Sequence, residues 1–223
     1  MQSGKWKFSV KSFLFAIVLV IVSFPFVDKL KYGELIESTL FTLVMLLAVF
    51  DISNRRRKFV WAIVLSAPGV VGKWVNHWNP DLVTPTIYYS ACLLFLVYMI
   101  WDLLQFIFQS SQVDSEVMSA GVAVYLILGL LWAFAYSLTN QLLPNSFVMN
   151  SGRTSFDGFA STYFSFVTLA TMGYGDIVPV SIPARMLSMV EGITGIFYTT
   201  ILLARLVAIY HSNISQQGAD SDI

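Results

Sequence analysis

Three apolar stretches, Thr86 to Phe108, Ser119 to Leu143 and Pro183 to Tyr210, limit this chain more than any other feature, because each is too long and too poor in charge for a water-soluble domain. A helix rises about 1.5 Å per residue and bilayer hydrocarbon is about 30 Å thick, so each predicts a membrane-crossing helix. Three shorter apolar stretches precede them: Ser12 to Val27, Leu35 to Phe50 and Phe59 to Val75. Lys11 and Lys73 can snorkel to lengthen the first and third, while Pro68-Gly69 predicts a kink or break in the third. The first follows Lys5, Lys7 and Lys11 as a secretory signal would, but Ser23-Phe24-Pro25-Phe26 supplies no small-x-small cleavage pattern, so we read it as a retained span. At 57% hydrophobic and 12% charged, the composition puts most of the chain in lipid.

Orientation follows from the basic residues. With the N-terminus inside, Lys5, Lys7, Lys11, Arg55, Arg56, Arg57, Lys58 and Arg205 are cytoplasmic, and Lys29, Lys31, Lys73, Arg153 and Arg185 are outside, eight against five. Six spans then leave both termini cytoplasmic and place Pro144 to Ile182 outside. That stretch holds an apolar run, Phe159 to Met172, too short to cross. A re-entrant helix fits, with Ser155 as N-cap and Asp157 in its first turn.

The run ends in Thr168-Leu169-Ala170-Thr171-Met172-Gly173-Tyr174-Gly175-Asp176. A pore that passes K⁺ quickly must replace the ion's water with stacked rings of backbone carbonyls. Gly173 and Gly175 let successive carbonyls aim at one axis, and the Thr171 hydroxyl can complete the inner end. One strand supplies one carbonyl per ring, so four subunits must surround the axis. The C-terminal end of the preceding helix adds partial negative charge toward the cavity.

These residues resemble the Thr-x-Gly-Tyr-Gly-Asp signature of the potassium channel family, and Ile177-Val178-Pro179 is similar to its usual continuation. The resemblance covers Ser119 to Tyr210 as outer helix, pore helix, filter and inner helix, and is nearest to small prokaryotic members, whose inner-helix end Ala204-Arg205-Leu206-Val207 is similar to. It implies a homotetramer with K⁺ held at Thr171, Met172, Gly173 and Tyr174. It also implies a bending point at Gly192 or Gly195, although both glycines equally suit close helix packing. Many relatives brace the filter with two tryptophans where this chain has Tyr163 and Phe164. Tyr163 can still donate to Asp176, whereas Phe164 offers nothing to the Tyr174 hydroxyl. Val167 stands where some members have a glutamate behind the filter, and Thr168 lies beside it.

Glu191, the only acidic residue within the last span, lies roughly 9 Å inward of Arg185. Facing the cavity, four such carboxylates would concentrate cations; facing the pore helix, one would accept hydrogen bonds from Thr168 or Ser165. Ile193 and Ile196 match the family's cavity-lining positions, which favours the second arrangement.

The remaining residues narrow the function. Thr86 to Phe108 carries no Lys or Arg, so no voltage-sensor stripe is present there. Arg55, Arg56, Arg57 and Lys58 are contiguous, fan around a helix, and read as a topology anchor or an anionic-lipid site. Glu37 and Asp51 read as interfacial and Asp102 as a cytoplasmic-end position reached by water. Cys92 reads as a core hydrophobe, His77 and His211 lack metal-ligand spacing, and the six tryptophans suit an interfacial belt. No catalytic set, nucleic-acid footprint or organic cofactor site can be assembled.

The expectation is an all-α membrane protein of six spans with one re-entrant pore loop. Residues 1–118 form a four-helix module, 119–210 the pore domain and 211–223 a short cytoplasmic tail in a plasma-membrane K⁺ channel that is not classically voltage-gated. A weakly selective cation channel, an ion-coupled transporter subunit and a non-conducting interaction protein are the rivals.

Overall fold

The computed structural model describes residues 10–27, 39, 42–47, 56–78, 85–110, 114–150, 156 and 158–221. The elements are α1 (Val10–Val27), α2 (Arg56–Trp78), α3 (Pro85–Gln109), α4 (Ser115–Leu142), β1 (Phe147–Met149), α5 (Gly158–Leu169), β2 (Ile177–Pro179) and α6 (Ile182–Ser221). Among the described residues, three helices are long and apolar enough to cross a membrane: Pro85–Gln109, Ser115–Leu142 and Ile182–Arg205, of mean hydropathy 2.1, 2.1 and 1.5. Val10–Ser23 and Val60–Gly72 are shorter apolar helices. The second expected span lies mostly outside the described residues; 42–47 within it are helical. Ser155, Asp157, Arg55, Glu37 and Asp51 also lie outside them.

The long helix α4 is the spine. It packs against α1, α3, α5 and α6, and α2 packs on the far side of α3. Its start is set by two acidic side chains that sequence reading passed over. Asp114 Oδ1 accepts from the Glu116 and Val117 N–H groups at 3.0 and 2.9 Å, capping α4. Glu116 in turn accepts the Val10 N–H at 3.0 Å, putting negative charge at the N-terminus of α1, where the helix dipole favours it.

The break expected at Pro68-Gly69 does not occur, and α2 runs on through Pro68 to Trp78. One interior proline costs a helix about 3 kcal/mol, which packing along α3 outweighs. Cys92 is fully buried at the heart of the larger core cluster, as a small hydrophobe should be. Asp102 is a correction: it is 5% exposed, so it is packed inside α3's neighbourhood and not washed by water. The tryptophans divide. Trp61 and Trp101 are exposed on the helix surfaces, whereas Trp132 packs between both core clusters and departs from the interfacial belt.

At the other end, α6 does not stop near Tyr210 but continues to Ser221. Its Arg205 Nη2 donates to the carbonyls of Ile107 and Phe108 at 3.0 and 2.8 Å and lies 3.4 Å from that of Ser110. These are the carbonyls a helix leaves unpaired at its C-terminus, so Arg205 caps α3 from another helix. The guanidinium also stacks 4.9 Å above the Phe108 ring.

Candidate functional site

The site begins at the C-terminal end of α5. Three backbone bonds carry the helix into the following loop: Ala170 N–H to Phe166 O at 3.0 Å, Thr171 N–H to Thr168 O at 2.9 Å and Met172 N–H to Val167 O at 2.9 Å. Val167 and Thr168 therefore hold the loop through their main chain. Beyond it, Thr171, Gly173 and Gly175 have positive φ of 57°, 58° and 76°. Every second residue is thus left-handed, a conformation natural for glycine and costly for the β-branched Thr171. The carbonyls of Thr171, Met172, Gly173 and Tyr174 accept no hydrogen bond among the described residues. In the single chain the Met172 and Tyr174 side chains are 59% and 67% exposed.

The far end of the loop is pinned by a two-stranded ladder absent from the sequence reading. β1 and β2 pair antiparallel, with Phe147 opposite Pro179, Val148 opposite Val178 and Met149 opposite Ile177. Asn150 continues the pairing by donating its N–H to the Asp176 carbonyl at 2.8 Å, and Asp176 Oδ1 accepts the Ile177 N–H at 3.1 Å. Strands of three residues have no readable alternation, so the only signal was the Ile177-Val178-Pro179 run itself.

Tyr163 of α5 faces Asp176 at the loop's outer end, close enough for the two groups to interact electrostatically. Phe164 turns the other way, into a buried aromatic cluster with Tyr136 of α4 at 4.9 Å and Phe147 of β1 at 5.4 Å, both edge-on. It thus steadies α5 without touching Tyr174.

Gly192 and Gly195 of α6 differ. A Cβ on Gly195 would fall 2.2 Å from the Leu169 carbonyl oxygen, so this glycine lets the inner helix meet the end of α5. Gly192 has nothing within 4 Å of such an atom. Glu191 is completely buried on the side facing α4 and α5, where it meets Tyr136 and Ser165 and not Thr168. Ile193 and Ile196 are exposed on the opposite side of the helix.

The comparisons with known proteins agree with this geometry. The family described as Ion channel matches residues 83–211, more than half of the chain, beginning just before α3 and ending in α6. Two-pore potassium channel 4 of Arabidopsis thaliana is 46% identical over 46 residues, which is 21% of this chain and 16% of that protein. The match therefore spans only a small part of that relative's length. No solved structure matches. With a short helix, a left-handed carbonyl-bearing loop and two flanking apolar helices long enough to span inside the matched segment, the chain belongs to the ion channel family, its pore domain of the potassium-channel type.

Proposed function

We propose that the chain is one subunit of a homotetrameric channel that conducts K⁺ passively and selectively, Thr171 to Asp176 being the selectivity filter. The carrying observation is the row of four successive carbonyls, Thr171 to Tyr174, without hydrogen-bond partners among the described residues. Unpaired carbonyls are costly away from water, and a dehydrated cation is the ligand that rewards them. Alternating positive φ at Thr171, Gly173 and Gly175 supports carbonyls that share one direction. The assembly is supported by α6: only 11% of its apolar window is buried within the chain, and Met186, Met189, Ile193, Ile196 and Phe197 stand exposed. Such a surface suits neighbouring copies around an axis.

In this reading six spans place both termini in the cytoplasm, Arg55 to Lys58 meets anionic lipid at the inner surface of the plasma membrane, and K⁺ is cargo. Purified full-length protein in liposomes should pass K⁺ and Rb⁺ with little Na⁺. Gly173→Ala or Gly175→Ala, which puts a side chain on a left-handed residue, should abolish the flux. Equal K⁺ and Na⁺ permeability would overturn the selectivity.

A further inference from the structure

Three helices meet behind the filter at one carboxyl group. Glu191 of α6 is 0% exposed. Its Oε2 accepts from the Tyr136 phenol of α4, and its Oε1 lies 2.5 Å from Ser165 Oγ of α5. Ser165 Oγ also lies 2.7 Å from the Gly129 carbonyl oxygen of α4. That approach depends on the missing side chain at Gly129, since a Cβ there would fall 2.5 Å from the Phe166 ring.

The hydrogens do not suffice for an ionised Glu191. A serine hydroxyl has one hydrogen, and the Gly129 carbonyl can only accept, so their contact uses the hydrogen of Ser165. The contact between Ser165 Oγ and Glu191 Oε1 then needs a hydrogen from elsewhere, or two lone pairs face each other. The Tyr136 hydrogen is directed at Oε2, so Glu191 must supply its own. Among the described residues, the titratable groups that face it are Tyr136 and, farther along α4, Tyr125. No Lys, Arg or His bonds to it among the described residues, so no cation offsets a charge at this depth.

We propose that Glu191 is a neutral carboxylic acid acting as a hydrogen-bond donor. The bonds run in one direction: Tyr136 O–H to Glu191 Oε2, Glu191 Oε1–H to Ser165 Oγ, and Ser165 O–H to the Gly129 carbonyl. Each hydroxyl is used once, and the sequence ends on a backbone acceptor of the helix where it began. Glu191 is thereby a positioning residue. It fixes Ser165, which stands two and three residues before Val167 and Thr168, whose carbonyls hold the Met172 and Thr171 N–H groups.

The test uses the full-length protein in lipid at neutral pH and has two arms. In the infrared difference spectrum of wild type against Glu191→Gln, the C=O band of a protonated carboxyl should be present in wild type and missing from the variant. Carboxylate bands there instead would overturn the proposal, whether or not the protein conducts. Ser165→Ala, which removes the acceptor of the Glu191 proton, should shift that band to higher frequency, and an unmoved band would equally overturn it. The flux arm rests on the K⁺-channel reading. Glu191→Gln, whose amide can donate to Ser165 while accepting from Tyr136, should keep K⁺ flux within about twofold, whereas Glu191→Leu should lose about tenfold or more. Equal impairment of both folded variants would count against the donor role. If wild type itself carries no K⁺, the channel reading fails and the infrared arm alone decides.

Discussion

Tyr163 of α5 brings its phenol beside Asp176 at the outer end of the loop. Tyr163→Phe removes that hydroxyl and leaves the ring. A polar contact of this kind contributes roughly 1 kcal/mol, so under the proposed channel function K⁺ current should decline up to about fivefold faster than in wild type. Current and selectivity unchanged in repeated recordings would show that the phenol does not steady the loop. At this scale the loop proposed as the filter was legible because its chemistry is written in consecutive residues, Thr171 to Asp176, and left-handed geometry needs glycine in place. The partners of Glu191 were legible only in part. Ser165 lies on the element it was expected to face, but Tyr136 is 55 residues away, and nothing local in a sequence marks a phenol on another helix. Asp102 misled for a related reason: an acidic residue in a span reads as water-exposed until the helices that cover it are known.

Among the elements, the junction of α5 and α6 is the tightest. Gly195→Ala would place a methyl 2.2 Å from a backbone oxygen that has no freedom to retreat, so we expect a loss of about 3 kcal/mol or more, read as a lower melting temperature and less assembled protein. Gly192→Ala meets nothing within 4 Å and should leave the folded subunit's thermal stability unchanged. Equal melting of the two variants would contradict this division. The long helices were readable from length and apolar content, which is why α3, α4 and α6 coincide with predicted spans. The β1–β2 ladder was not, since strands of three residues lack any period. Nor was the passage of α2 through Pro68, where tertiary packing outweighs the local preference.

Taken whole, the molecule joins a peripheral group of helices to a pore segment through α4. The α3 sequence, Pro85–Gln109, carries no Lys or Arg, so its movement would transfer little charge across the membrane. Open probability should change shallowly with voltage, by less than about one gating charge per subunit, and a steep conductance–voltage curve would refute that expectation. The contact of Arg205 with the end of α3 bears on how such a molecule can move. A lever pivots freely only if it is unattached along its length, and α6 is not: at Arg205 it is tied by one guanidinium to the last turn of α3. Swinging α6 outward at that point strips α3 of its terminal cap, so movement of α3 is coupled to α6 through Arg205 as well as through their shared packing on α4.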